Sequence, residues 1–264
     1  MTRDVRDRFR ALHADGRFVM PNPWDIGSAR MLASLGFPAL ATTSSGHAAS
    51  LGRRDQHVAR DELVAHTAAM TAAVDLPFNV DAERSFASAP SGIAGTVARL
   101  AGAGAAGLSI EDYDPVSRRI DPFDEAVERV AAAADAAGRH GLVLTARCEN
   151  HLYGVDDLDD TIARLQAYHA AGAEVVYAPG LVDPDDIARL VAAVGAPVNV
   201  LARPDGPSTS VLASIGVRRV STGGALARAA YGELVRAATE LRDQGSSSYI
   251  QRALSGPTLE DMIS

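Results

Sequence analysis

The chain has 264 residues, 47% of them hydrophobic, and carries 25 basic against 33 acidic side chains for a net charge of -8. That length suits one large barrel or two small domains, and the acidic balance disfavours nucleic-acid backbones and anionic membranes as partners, leaving a small molecule as the expected ligand. A single cysteine, Cys148, excludes an internal disulfide.

In chain order, the aliphatic runs predict a strand over 18–20, a helix over 25–35, a strand over 39–43 and a helix over 60–74. A strand over 78–83, a helix over 91–102, a strand over 107–112 and a helix over 122–139 follow. The second half predicts strands over 143–149, 174–178, 198–202 and 218–222, separated by helices over 156–171, 183–194 and 208–215 and followed by one over 226–244. Glycines such as Gly172 and Gly216 precede several strands, as expected where a helix ends in a left-handed cap. Eight strands alternating with helices over about 250 residues predict a (β/α)₈ TIM barrel, with a doubly wound open sheet as the alternative. Residues 1–244 form the expected catalytic barrel, and 245–264 a tail with a short helical stretch over 249–254 that docks on the barrel or on a neighbouring subunit. No apolar run approaches the ~20 residues that span a bilayer. The charged start Thr2-Arg3-Asp4 lacks the apolar core of a secretion signal, so the cytoplasm is the expected compartment.

Acidic residues gather where the strands end. Asp55 follows the second strand, Asp81-Ala82-Glu83 closes the third, and Glu111-Asp112 closes the fourth. Carboxylates at the carboxyl ends of neighbouring parallel strands repel one another until a hard cation such as Mg²⁺ enters, and strand parity places Asp81 and Glu83 on one face. Such acids also commonly cap helices or pair with arginines such as Arg84. In Thr145-Ala146-Arg147-Cys148-Glu149 the same parity puts Arg147 beside Glu149, where its planar fork suits a carboxylate or phosphonate, and sends Cys148 toward the helices as a small hydrophobe. The loop Thr42-Thr43-Ser44-Ser45-Gly46-His47 offers hydroxyls and amides for carboxylate oxygens. Ser221-Thr222-Gly223-Gly224 reads either as a barrel phosphate site or as a tight turn.

Taken together, Pro23-Trp24-Asp25-Ile26-Gly27-Ser28, Ser50-Leu51-Gly52-Arg53-Arg54-Asp55, Asn79-Val80-Asp81-Ala82-Glu83, Ile110-Glu111-Asp112, Thr145-Ala146-Arg147 and Gly216-Val217-Arg218-Arg219-Val220-Ser221 resemble the isocitrate lyase and phosphoenolpyruvate mutase superfamily over nearly the whole chain. The likeness is greatest to its short phosphonomutase-like branch. The resemblance implies a homo-oligomer, tetramer or dimer, with an exchanged terminal helix. It implies dependence on Mg²⁺, with Mn²⁺ as the alternative ion, and cleavage of a C–C or P–C bond beside a 2-oxo acid through its enolate. Asp81 would bind the metal, with Asp55, Glu83 and Glu111 holding it largely through water. Thr43, Ser44 and Ser45 would grip the substrate carboxylate, and Arg147, Asp55 and Glu111 would serve the chemistry. The chain departs from the family at the gating loop, where Tyr113-Asp114-Pro115-Val116-Ser117-Arg118-Arg119-Ile120 lacks the lyase cysteine and the mutase lysine, and where Arg119 is expected to meet a distal anionic group. It departs again where Arg84-Ser85-Phe86-Ala87 replaces a glycine-rich turn, which is expected to narrow the pocket or alter the metal geometry. These departures disfavour isocitrate cleavage and the mutase reaction. A phosphonomutase-type isomerase and a non-catalytic metabolite-binding barrel remain the alternatives.

Overall fold

A computed structural model describing residues 2–264 places eight parallel strands in one sheet. In chain order these are β1 (Phe18–Met20), β2 (Leu40–Ala41), β3 (Phe78–Asp81), β4 (Gly107–Glu111), then a two-stranded hairpin of β5 (Tyr113–Asp114) and β6 (Arg119–Ile120), then β7 (Val143–Arg147), β8 (Val175–Tyr177), β9 (Val198–Leu201) and β10 (Arg219–Ser221). The order around the sheet is β1-β10-β9-β8-β7-β4-β3-β2, as a barrel requires. At the seam between β1 and β2, Ala41 N donates to Pro21 O at 3.1 Å and the Asn22 amide to Thr42 O at 2.8 Å. The eight expected strands are the eight barrel strands, with closure rather than an open sheet.

Strand alternation sorts the residues into two environments. Val80, Leu108, Leu144, Val176, Val200 and Val220 face outward and pack against the surrounding helices in the main apolar cluster. The inward positions are unusually polar. Asn79, Ser109, Thr145, Asn199 and Arg219 form an interior belt, capped at the carboxyl ends by Asp81, Glu111, Arg147 and Tyr177.

Below that belt the barrel is stoppered by a helix that the sequence reading did not place. Thr2–Ala14 runs beneath the amino ends of the strands, and Phe9 enters a small apolar cluster with Phe18, Met20, Val143 and Val175. Arg6 fastens it by donating to the carbonyls of Ala101, Ala105 and His140 at 2.8–3.1 Å. Gly107 is glycine because a Cβ there would meet Phe9 Cε1 and Val143 O at 2.7 Å. A second unforeseen helix, Ser44–Ser50, begins in the stretch expected to be a loop, with Thr43 as its cap.

The final barrel helix, Ala225–Gln244, buries only Ala227, and leaves Leu234 and Val235 63% and 64% exposed. The tail adds a helical turn at Ser248–Arg252 and a helix at Gly256–Ile263, which packs on helix Ile26–Ser34 of its own chain. Among the described residues no helix is long and apolar enough to cross a membrane.

Candidate active site

Arg147, the last residue of β7, organises the barrel mouth. Its Nη1 donates to Asp81 Oδ1 at 2.8 Å and its Nε to Glu149 Oε1 at 2.7 Å, while Nη2 lies 3.2 Å from Glu111 Oε2. The guanidinium sits over the Tyr177 ring, 5.5 Å from its centroid. Burial alone would lower its pKa, but Glu149, Glu111 and Asp81 outweigh that and hold it well above the ordinary arginine value. One cation thus serves three carboxylates.

The acids are short of positive charge. Burial, more than Arg147 can offset, pushes the Glu111 carboxyl well up. Burial and then repulsion from Asp81 and Asp55 push Glu83 up to about 8, and no described N–H donates to its carboxylate. Asp55 is raised by burial and by Asp81, against hydrogen bonds from Ser44 and the Gln56 amide. Among the described residues no three His, Cys, Asp or Glu side chains converge as a ready cage. The fit to a divalent cation therefore rests on this unspent carboxylate charge, with Glu83 as a buried acid that lacks a donor.

The cavity over this cluster has a volume of about 460 Å³, and Thr43, Ser44, Ser45, Asp55, Asp81 and Arg147 all line it. Asp81 is fixed to the serine segment, since Ser44 N donates to Asp81 Oδ2 at 3.1 Å and Asp81 N to Thr42 Oγ1 at 2.9 Å. Glu83 and Glu111 stand behind the wall rather than in it. Glu83 also lies past the strand end at φ 49°, so strand parity does not place it. Parity does separate Glu111 from Asp112, which turns outward to accept from Tyr168 Oη at 2.6 Å and Glu149 N at 2.8 Å. Cys148 is buried among the helices with its thiol pushed well up by that burial, consistent with a packing role. His47 is buried and stacked on His66, ring centroids 3.7 Å apart.

Arg119 must be corrected. It pairs with Asp114 across the β5–β6 hairpin, is exposed, and lies outside the cavity wall. The hairpin is tied down, with Tyr113 stacked on Tyr153 at 3.7 Å and Asp121 N donating to Asp112 O at 2.6 Å, and none of its residues lines the cavity.

The Arg84 turn also differs from expectation. Glu83, Ser85 and Phe86 take left-handed φ values of 49°, 65° and 58°, so the backbone keeps a glycine-like path without glycine. Arg84 points away from the cavity, donating through Nε and Nη2 to Asp121 at 2.8 Å each and to Glu125 at 2.7 Å. Such conformations cost about 1–3 kcal/mol each; that bidentate pair and Arg129, which donates to the carbonyls of Arg84 and Ala87, hold the turn in place.

Ser221–Gly224 is a tight turn. Thr222 N and Gly223 N both donate to Asn22 Oδ1 at 2.9 Å, so those amides are already engaged. Asn22, Gln56, Asn199, Arg219 and Arg228 were not anticipated. Parity along Arg218-Arg219-Val220-Ser221 would have turned Arg219 inward with Ser221; Gln56, whose Nε2 donates to Glu111 Oε1 at 2.8 Å, sits in an irregular loop that carries no periodic signal.

Residues 9–242 match the family model described as phosphoenolpyruvate phosphomutase. An oxaloacetate decarboxylase from Bradyrhizobium sp. is 32% identical over 224 residues, covering 81% of this chain and 76% of that protein. Among solved structures, a putative lyase/mutase from Burkholderia cenocepacia is 50% identical with a TM-score of 0.94, covering 98% of this chain and 95% of that one. Oxaloacetate acetylhydrolase in complex with oxalate is 25% identical with a TM-score of 0.88, covering 99% and 94%. With the barrel, the carboxylate-bound arginine and these likenesses in agreement, the chain belongs to the phosphoenolpyruvate mutase and isocitrate lyase superfamily and is one of its enzymes.

Proposed function

We propose that this enzyme cleaves a carbon–carbon bond beside the 2-oxo group of a small dicarboxylate, with decarboxylation as the reaction that its residues serve best and Mg²⁺ or Mn²⁺ as its cation. The observation that carries the reading is Arg147 in the cavity wall, its charge shared among Asp81, Glu111 and Glu149 beside the Thr43–Ser45 segment. Asp81 would hold the cation directly, with Asp55, Glu83 and Glu111 acting on it largely through water, and when bound the cation supplies Lewis-acid charge to the 2-oxo acid oxygens. Ser44 and Ser45 offer hydroxyls to the substrate carboxylate, and Arg147 stabilises negative charge developing on the 2-oxo oxygen. In decarboxylation the electron pair of the breaking bond passes into the enolate of the 2-oxo acid, CO₂ leaves, and a proton from water completes the product. No acid from the gate is needed, in keeping with a hairpin that contributes no side chain to the cavity. An isocitrate-type cleavage needs such a group. The protein, supplied with Mg²⁺ and a panel of 2-oxo dicarboxylates and phosphonopyruvate, is expected to release CO₂ from the former and to stop on chelation. Turnover that persists undiminished after chelation refutes the metal assignment, and binding without turnover favours a metabolite-binding barrel.

The small anionic substrate acts within a homo-oligomer in this reading, built on helix Ala225–Gln244. Its Leu234, Val235 and Leu241, with Ile250 and Leu254 of the tail, stand outward where a second copy would cover them, each worth about 1.5–3 kcal/mol when fully buried. Light scattering is expected to report a dimer or tetramer, and the pair Leu234→Glu with Val235→Glu to yield a folded monomer. A wild-type monomer at micromolar concentration would rule this assembly out.

A further inference from the structure

Below the mouth the cavity continues into the barrel. Its wall runs from Asp81 and Arg147 down to Asn79, Ser109, Asn199 and Arg219 of the interior belt, above the stopper helix. Asn79, Ser109 and Thr145 lie two positions before Asp81, Glu111 and Arg147 respectively, so this lower chamber sits roughly 7 Å beneath the acids. One full charge stands in it. Arg219 is 1% exposed and pairs with no carboxylate among the described residues. It donates through Nε to Asn199 Oδ1 at 2.8 Å, through Nη1 to His13 Nε2 at 3.2 Å and through Nη2 to Thr145 Oγ1 at 2.9 Å, and all three acceptors are neutral. Each terminal nitrogen carries a second N–H that these contacts leave unspent.

A buried cation without a counter-charge is costly, and the chamber walls do not provide one. Burial pushes the Arg219 pKa down to about 9, opposed only by Tyr177. What the walls do provide is donors. Thr145 Oγ1 accepts from Arg219 and so keeps its own hydrogen to give. The Ser109 hydroxyl and the Asn79 amide nitrogen make no hydrogen bond among the described residues, although both residues line the cavity and are only 6% and 3% exposed. Asn79 Oδ1, an acceptor, is turned instead toward Gly107, where an added Cβ would lie 3.0 Å from it. An unmatched guanidinium ringed by neutral donors, away from bulk water, is complementary to negative charge.

We propose that the barrel interior at Arg219 is a binding site for a small monovalent anion, held by the two unspent N–H groups of Arg219 with Ser109 and Asn79 beside them. The site lies beneath the acidic cluster, takes no part in bond cleavage and does not rest on the reaction proposed above. The anion supplies the counter-charge that the fold withholds from Arg219, and so steadies its contacts with Thr145 of β7 and His13 of the stopper helix. A halide and a planar oxyanion such as nitrate offer the same chemistry. A dianion does not, because its second charge would stand under Asp81 and Glu111.

Thermal unfolding in sodium gluconate, an anion too bulky for the chamber, tests the site when bromide or nitrate replaces gluconate stepwise at fixed ionic strength. The wild-type Tm is expected to rise and saturate, by about 2–4 °C. Ser109→Ala, which keeps the charge, should raise the half-saturating concentration about 3- to 10-fold, the range for one lost hydrogen bond, and Arg219→Met should abolish the response. Wild-type crystals soaked in bromide should show an anomalous peak in hydrogen-bonding contact with Arg219 Nη1 or Nη2. A saturating response to bromide alone supports a site shaped for a halide, and a response to both anions supports one that also takes a planar oxyanion. A response that Arg219→Met retains overturns the proposal. Where Arg219→Met does not fold, an unchanged Ser109→Ala response overturns it. So does the lack of a bromide peak at Arg219 in the wild type, and a peak without saturable stabilisation marks an adventitious ion only and overturns it as well.

Discussion

Replacing Arg147 with methionine is expected to cost about 3–5 kcal/mol of stability, the usual result of removing one partner from a buried ion cluster, and to lower kcat/KM by at least about 10²–10³-fold. The reason lies in the charge balance. Glu149 is 1% exposed and Glu111 6%, and both lean on the same guanidinium that holds Asp81. Methionine fills much of the volume but leaves three carboxylates facing one another away from water, so they must take up protons or force the strand ends apart. Arg147→Lys keeps the charge but cannot place donors on three acids in a planar fork, and it should lose most of the activity while recovering part of the stability. Urea unfolding and initial rates on the same samples check both effects. A methionine variant that unfolds at the wild-type midpoint and still turns over would show that the cluster is not organised by this residue.

His13 makes a contribution to stability that acid should remove well before ordinary carboxylates titrate. Arg219 only donates, so His13 Nε2 must accept from Arg219 Nη1 at 3.2 Å, and Nδ1 carries the proton that it gives to Phe9 O at 2.9 Å. The imidazole is locked neutral, and burial, then the Arg219 charge, pushes its pKa down to about 3. A base whose folded pKa lies below its unfolded value near 6.5 contributes stability that is present above pH 6.5 and drains away as pH falls toward 3. The loss is about 2 kcal/mol by pH 5 and approaches ~5 kcal/mol near pH 3. His66, brought down to about 4 by burial and by His47, adds a smaller loss of the same sign. Raised carboxyls such as Glu83, at about 8, gain protons over the same range with the opposite sign, so the histidine is read as a difference: between pH 7.5 and 5 the wild type should lose about 2 kcal/mol more, or gain that much less, than His13→Gln in urea unfolding. Parallel slopes would mean that the histidine is not held as a neutral acceptor.

The strands were legible as short aliphatic runs, most of them following glycine-ended helices, and in β3, β4, β7 and β10 polar residues alternate with Val80, Leu108, Leu144 and Val220 on the outer face. Asp81 and Arg147 could be placed for the same reason, being inward positions at strand ends. Where the chain leaves regular structure the reading weakened. Glu83 has a left-handed backbone that breaks parity, Gln56 reaches Glu111 from an irregular loop, and Arg119 was assigned through a gate that is here a pinned hairpin. The helix Thr2–Ala14 was missed although the signal was there: Val5, Phe9 and Leu12 fall at i, i+4 and i+7 among charged residues, and the segment was read only for its lack of a secretion-signal core.

The stopper beneath the barrel bears on how the protein is made. Thr2–Ala14 is synthesised before its anchors, which belong to segments that follow much later: the carbonyls at 101, 105 and 140, Glu174 opposite Arg10, and Arg219 against His13. Because loop closure over such separations must precede any gain from the contacts, Phe9 lacks Val143 and Val175 until β8 has been made, and His13 lacks Arg219 until β10 has. The stopper is therefore among the last parts of the barrel to find all of its partners, although it precedes them in the chain.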